Sequence, residues 1–179
     1  MKPRVAFMTF SIMRAPYGDA SVQEFDDRTP DVFAEAEQAD GFIARAKPRD
    51  DMPWMTNFQK DWAEWGPFAV PRFYLGGIAP GHSAQAQTLS LWDSLDSIAR
   101  FAYRSPLHRE ALKRKADWFG AQAWPIYCAW WVAADEQPNW RQACRRLAHL
   151  HDHGATATAF NFASPFDAAG LPCVLRRPH

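Results

Sequence analysis

Seven consecutive residues, Ile126-Tyr127-Cys128-Ala129-Trp130-Trp131-Val132, restrict the fold more than any other part of the chain. As a strand, Ile126, Cys128, Trp130 and Val132 point one way while Tyr127, Ala129 and Trp131 point the other. Both sets are apolar, so both faces of the sheet holding this strand must be covered. Val5–Ile12 reads as a second strand of the same kind. Helices on one face alone would leave the other needing a second chain or a ligand.

The remaining elements follow from periodicity and breakers. Val32, Phe33, Ala36 and Ala39 predict a helix over 31–39, stopped by Asp40-Gly41, with a short strand over 42–46 directly after it. Residues 47–82 are irregular, rich in Pro and carry the Gly76-Gly77 pair. They also hold Trp54, Phe58, Trp62, Trp65, Phe68, Phe73 and Tyr74. A disordered loop is poor in aromatics, so this is an ordered insertion, either a lid, a dimer arm or a loop folded on its own body. A third strand spans 87–92, and a helix begins at Leu95 with Ile98, Phe101 and Ala102 inward. Ser94, three residues before Ser97, offers a weak N-cap. Ser105-Pro106 breaks that helix and starts another to about Phe119, because Ser caps well and Pro favours the first helical position. Its buried face is Leu107, Ala111 and Leu112, continuing toward Trp118. A helix over 140–149 ends near Gly154, a last strand covers 159–162, and the chain from Ser164 is a loose tail. The chain divides into one domain, 1–166, and a tail, 167–179. The order is βαββαβ with a C-terminal αβ extension, the ferredoxin-like arrangement of an α+β fold.

Composition removes several classes of function. Among 179 residues, 20 Lys+Arg balance 20 Asp+Glu. Backbone binding to nucleic acid draws on a basic excess, so nucleic acid is not the expected partner. No run approaches the roughly 20 apolar residues that span a bilayer, so no membrane partner is expected. The apolar stretch after Met1 contains Thr9 and Ser11 and lacks a small-residue cleavage site, and is better read as a strand than as a signal peptide. Cys128, Cys144 and Cys173 have neither CxxC nor zinc spacing and read as reduced thiols, which points to the cytoplasm. There is no G-x-G-x-x-G, P-loop or G-x-S-x-G. Aromatic residues make up 15% of the chain, with nine Trp and thirteen Phe. Such an excess favours a pocket wall or an interface as well as a core.

The order of residues also carries a family likeness. Thr88-Leu89-Ser90-Leu91-Trp92-Asp93-Ser94-Leu95-Asp96-Ser97, Phe101-Ala102-Tyr103-Arg104-Ser105, His108, Trp118-Phe119, Trp130-Trp131-Val132 and Arg146-Leu147-Ala148-His149-Leu150, with Gly154 and Ala159-Phe160, resemble a bacterial family catalogued as domain of unknown function 3291. That family resembles the dimeric α/β barrel superfamily, in which two ferredoxin-like sheets pair face to face, and this implies a homodimer. The superfamily includes heme-degrading and cofactor-independent monooxygenases. In register from Trp92, the heme degraders' strand Asn, helix Trp and helix His fall on or near Thr9, on Phe101 and on Ala111. All three positions differ from that pattern, so its chemistry is not carried over.

Among the chain's own residues, His108 near the Ser105-Pro106 break is the candidate base, His108 or His149 the candidate axial heme ligand, and Tyr103 and Arg104 the candidate polar partners of His108. Trp92, Phe101, Trp118, Trp130 and Trp131 are the candidate pocket walls. His149 and His153 share a helix face, but a helix end accounts for their charge, and no metal site is assigned. The expected function is a small-molecule enzyme with an aromatic-lined pocket, acting on an apolar or aromatic metabolite by proton transfer or oxygenation. It would be cofactor-independent and monooxygenase-like, or isomerase- or cyclase-like. A heme-binding protein and a non-catalytic dimeric binding module are the alternatives.

Overall fold

A computed structural model describes residues 2–52, 54–74 and 84–175. Pro53, the end of the aromatic insertion with Gly76-Gly77, and the last four residues of the tail lie outside the described residues. The elements among the described residues are β1 (Arg4–Ile12), α1 (Gln23–Glu37), β2 (Phe42–Arg45), β3 (Gln85–Trp92), α2 (Leu95–Arg104), α3 (Pro106–Trp118), β4 (Tyr127–Val132) and α4 (Trp140–His153), with a 3-10 turn at Ala63–Trp65. The strands form one open antiparallel sheet in the order β2-β3-β1-β4.

Register divides the sheet into two faces. Ala6, Met8 and Phe10 of the central strand point to one side together with Leu89, Leu91, Cys128 and Trp130. No second chain is needed to cover them. The insertion brings Trp62, Trp65 and Phe68, and α4 brings Trp140, Ala143, Leu147 and Leu150, onto that face. The two covers interlock: Trp62 and Phe68 stack at 5.5 Å and both meet Trp140 at 5.1 and 5.0 Å. The described part of the insertion is thus a roof over its own sheet, and the expected bare face is closed from within.

The opposite face carries Val5, Phe7 and Thr9. Val5 lies between Trp92 and Trp131, Phe7 between Ser90 and Ala129, and Thr9 between Thr88 and Tyr127. α2 covers the first of these rows with Leu95 and Ile98. Its start is fixed by Ser94, whose hydroxyl accepts the Ser97 N–H at 3.2 Å, while the Ser97 hydroxyl donates to Asp93. Gly41 fits against this turn at φ +81°, where a Cβ would stand 2.2 Å from Ser97 Oγ, so no other residue fits there.

Several boundaries differ from expectation for identifiable reasons. α1 begins eight residues earlier than 31 and runs through Pro30, whose missing N–H hides the first turns from a pattern-based reading. α4 continues to His153 before Gly154 stops it. The expected strand over 159–162 is reduced to isolated bridges, and only Phe160 joins the sheet, exchanging both backbone bonds with Ala129. The described part of the tail is tied down: Trp131 Nε1 donates to the Phe166 carbonyl at 2.7 Å, and the Cys173 N–H donates to the Pro165 carbonyl at 3.0 Å. α3 departs furthest. Leu107 and Leu112 are exposed, and only Trp118 of that helix is buried, because α3 packs against α1 and α2 and not flat on the sheet. Among the described residues no helix is long and apolar enough to cross a membrane.

Candidate functional site

α2 begins beside Trp92, at the end of the sheet where Val5 lies, and α3 ends where the Trp118 carbonyl accepts the Arg14 N–H and Phe119 bridges Met13. The helix pair therefore crosses the sheet along the length of β1. Beyond the row that α2 covers, this face of the sheet is incompletely covered. Phe7, Thr9, Ser11, Thr88 and Tyr127 are only half-buried although β1 is central, whereas Ala6, Met8 and Phe10 behind them are fully buried. This half-buried strip at the middle of the sheet, floored by rings and hydroxyls, is the candidate cleft.

Its chemistry is aromatic and uncharged. Phe7 and Tyr127 lie 5.6 Å apart, and Phe162, from the segment after the Phe160 bridge, stands 5.6 Å from Phe7 and 5.1 Å from Tyr127. Tyr103, at the end of α2, reaches Phe162 from the helix side at 6.0 Å. The Thr9 and Thr88 hydroxyls share a 2.7 Å hydrogen bond, which leaves one of the two protons free to donate. Burial raises the Tyr127 phenol's pKa, so it stays protonated. Its oxygen accepts the Phe162 N–H at 3.4 Å, and its own O–H remains a donor.

The candidates named from sequence are divided among different places. Trp92, Phe101 and His108 form a chain of rings, with Trp92 to Phe101 at 5.5 Å and Phe101 to His108 at 4.9 Å. Trp92 is buried, its indole donating to Ser90 Oγ, and serves as floor beneath α2. Trp131 is half-buried on the same face and holds the C-terminal segment through Phe166. Trp118 lies elsewhere, 5.6 Å from Phe25 in the joint between α1 and α3. Trp130 is on the opposite side of the sheet altogether, since it pairs with Ala6 and not with Val5. Tyr103 borders the cleft, whereas Arg104 lines a shallow groove outside it with Asp40, Arg100 and Ser105.

His108 is the best defined of these. Its Nδ1–H donates to the Ala102 carbonyl at 2.9 Å, an oxygen that can only accept, so Nε2 carries the lone pair. Burial lowers its pKa below the usual imidazole value, against smaller opposing effects of the Ala102 bond and Glu35. The ring is therefore neutral near pH 7 and chemically a base.

Ala111, which stands at the heme degraders' His position, offers iron no ligand, while Phe101 is an aromatic wall against the His108 ring and the Phe162 ring lies on the sheet surface above Phe7. In the last turn of α4, His149 Nε2 is bonded to Thr156 Oγ1 at 2.9 Å and His151 Nδ1 to Asp152. Among the described residues no group of three or more His, Cys, Asp or Glu could hold a metal ion.

Phe7, Thr9, Thr88, Tyr127 and Phe162 are absent from the candidates named above. The signal for them is the alternation in β1: Phe7, Thr9 and Ser11 grow polar on one face while Met8, Phe10 and Ile12 stay apolar on the other.

Among known proteins, the family model described as Domain of unknown function (DUF3291) matches residues 4–174. No curated protein and no solved structure matches the chain.

Proposed function

The chain belongs to the DUF3291 family, whose description assigns no reaction, and from its own geometry we propose that it binds an uncharged, planar, apolar or aromatic small molecule in the cleft between the sheet and α3. One observation carries the reading: the central row Thr88–Thr9–Tyr127 is half-open on this face of the sheet only. Hydroxyls at the centre of an otherwise apolar floor suit a ligand with one neutral acceptor, such as a carbonyl or phenol oxygen.

The chemistry proposed for it is proton transfer. His108 Nε2 is the base, Tyr103 the donor at the cleft's edge, and Tyr127 and the Thr9–Thr88 pair hold the ligand's oxygen. A binding protein without turnover remains the alternative, and loss of turnover on His108→Gln with binding retained separates the two. The strand order and βαββαβ sequence of elements support a ferredoxin-like reading. The face through which dimeric α/β barrels pair is the one that α4 and the insertion cover here, so the cleft of one chain suffices. Three free cysteines, two of them buried, agree with a reducing compartment.

The test is calorimetric titration with 2-naphthol and with 2-naphthoate. Preference for naphthol, lost several-fold in Thr9→Val and Tyr127→Phe, supports the reading. Equal binding of both probes by all three proteins overturns it.

A further inference from the structure

We infer that Phe162 is a movable wall of the cleft, a side chain that occupies the ligand's place on Phe7 and must swing away for a ligand to enter. The inference rests on the cleft being a binding site. Phe162 lies parallel to Phe7, with 3° between the ring planes and 5.6 Å between centroids, the offset stack that a planar ligand would itself adopt on that floor. It also touches Tyr127 and Tyr103, and so bridges the sheet to the end of α2 across the opening.

Its backbone is built for local movement. Phe160 is fully buried and locked to Ala129 by two backbone bonds, and the Phe166 carbonyl is held by the Trp131 indole. Between these anchors, 161–164 is a tight turn closed by Asn161, whose Oδ1 accepts the N–H groups of Ala163 and Ser164 at 3.0 and 3.1 Å. The Phe162 N–H itself makes one long bond, 3.4 Å to Tyr127 Oη. Rotating this turn therefore breaks no ladder hydrogen bond and leaves both anchors in place. In the closed form the ring shields Phe7, and a ligand binds only the open fraction, so its apparent affinity falls by that fraction.

The experiment is calorimetric titration of 2-naphthol into the full chain and two variants, Phe162→Ala and Asn161→Ala, each checked for a native circular dichroism spectrum. If the open form is populated at about a tenth, Phe162→Ala binds about tenfold more tightly. Asn161→Ala, which keeps the ring but loosens its turn, also binds more tightly than the parent and stands in if Phe162→Ala does not fold. Weaker or unchanged binding in the variants, with the parent binding normally, makes Phe162 a fixed contact and overturns the gate while leaving the cleft intact. No binding by any of the three removes the cleft as a site, and the gate with it.

Discussion

The carboxylate of Glu35 on α1 caps α3 at His108: its Oε2 accepts the His108 N–H and its Oε1 the Leu107 N–H, both at 3.2 Å. Ser105 stands at the N-cap position but its hydroxyl makes no capping bond. Glu35 satisfies two orphan donors and places a negative charge at the positive end of the helix. Glu35→Ala is expected to cost about 0.5–2 kcal/mol in urea denaturation. Ser105→Ala, which removes no bond, should leave the midpoint nearly unchanged.

His108 titrates below its value in the unfolded chain, about 6.5. Because the folded ring resists protonation, the unfolded state takes up the proton first as pH falls. Its contribution to stability is present above the unfolded value and is lost as pH drops toward the folded one. Replacing it with Gln should flatten the decline in stability between pH 7 and 5. Long-range 1H–15N spectra should show the Nδ1–H tautomer at pH 7 and an apparent pKa below 6.5 for this ring.

The three cysteines should separate by reactivity. Burial raises the thiol pKa of Cys128 and pushes that of Cys144 up to about 12, while Cys173 is partly exposed. Thiolate, not thiol, attacks disulfide reagents. Ellman's reagent is expected to titrate one thiol in the native protein, Cys173, and three in guanidinium. Fast labelling of Cys144 in native protein would contradict its burial on α4, where its thiol donates to the Ala69 carbonyl of the insertion.

Two leucines report on what each helix covers. Leu147 of α4 is fully buried against the sheet, and Leu147→Ala should destabilise by about 2–5 kcal/mol. Leu107 of α3 is 41% exposed, and Leu107→Ala should fall within about 0.5 kcal/mol of the parent. Comparable losses from the two would mean that α3 lies flat on the sheet and that the cleft is closed.

The apolar strands were legible because alternation acts within one segment. The doubly covered β4 and the Ser105-Pro106 break are visible in their own residues. What covers the second face was not, since the roof comes from an aromatic insertion with no period and from a helix far along the chain. The cap of α3 was equally hidden, because Glu35 lies 72 residues from Leu107 and nothing local to Ser105 shows that its hydroxyl is bypassed. Trp118 and Trp130 were grouped with Trp92 by residue type. Side-chain parity separates Trp130 by the thickness of the sheet, and packing places Trp118 between two helices. The cleft residues are ordinary in type, and only their shared row across three strands joins them.

The central position of β1 also fixes when the protein can fold during its synthesis. β1 is made before its partners, residues 85–92 and 127–132, and the helix that seals Ala6, Met8 and Phe10 ends at His153. A nascent chain therefore carries an unpaired hydrophobic strand until at least residue 92 has been made. Chaperone shielding of this strand and a late collapse are the natural course for such an architecture.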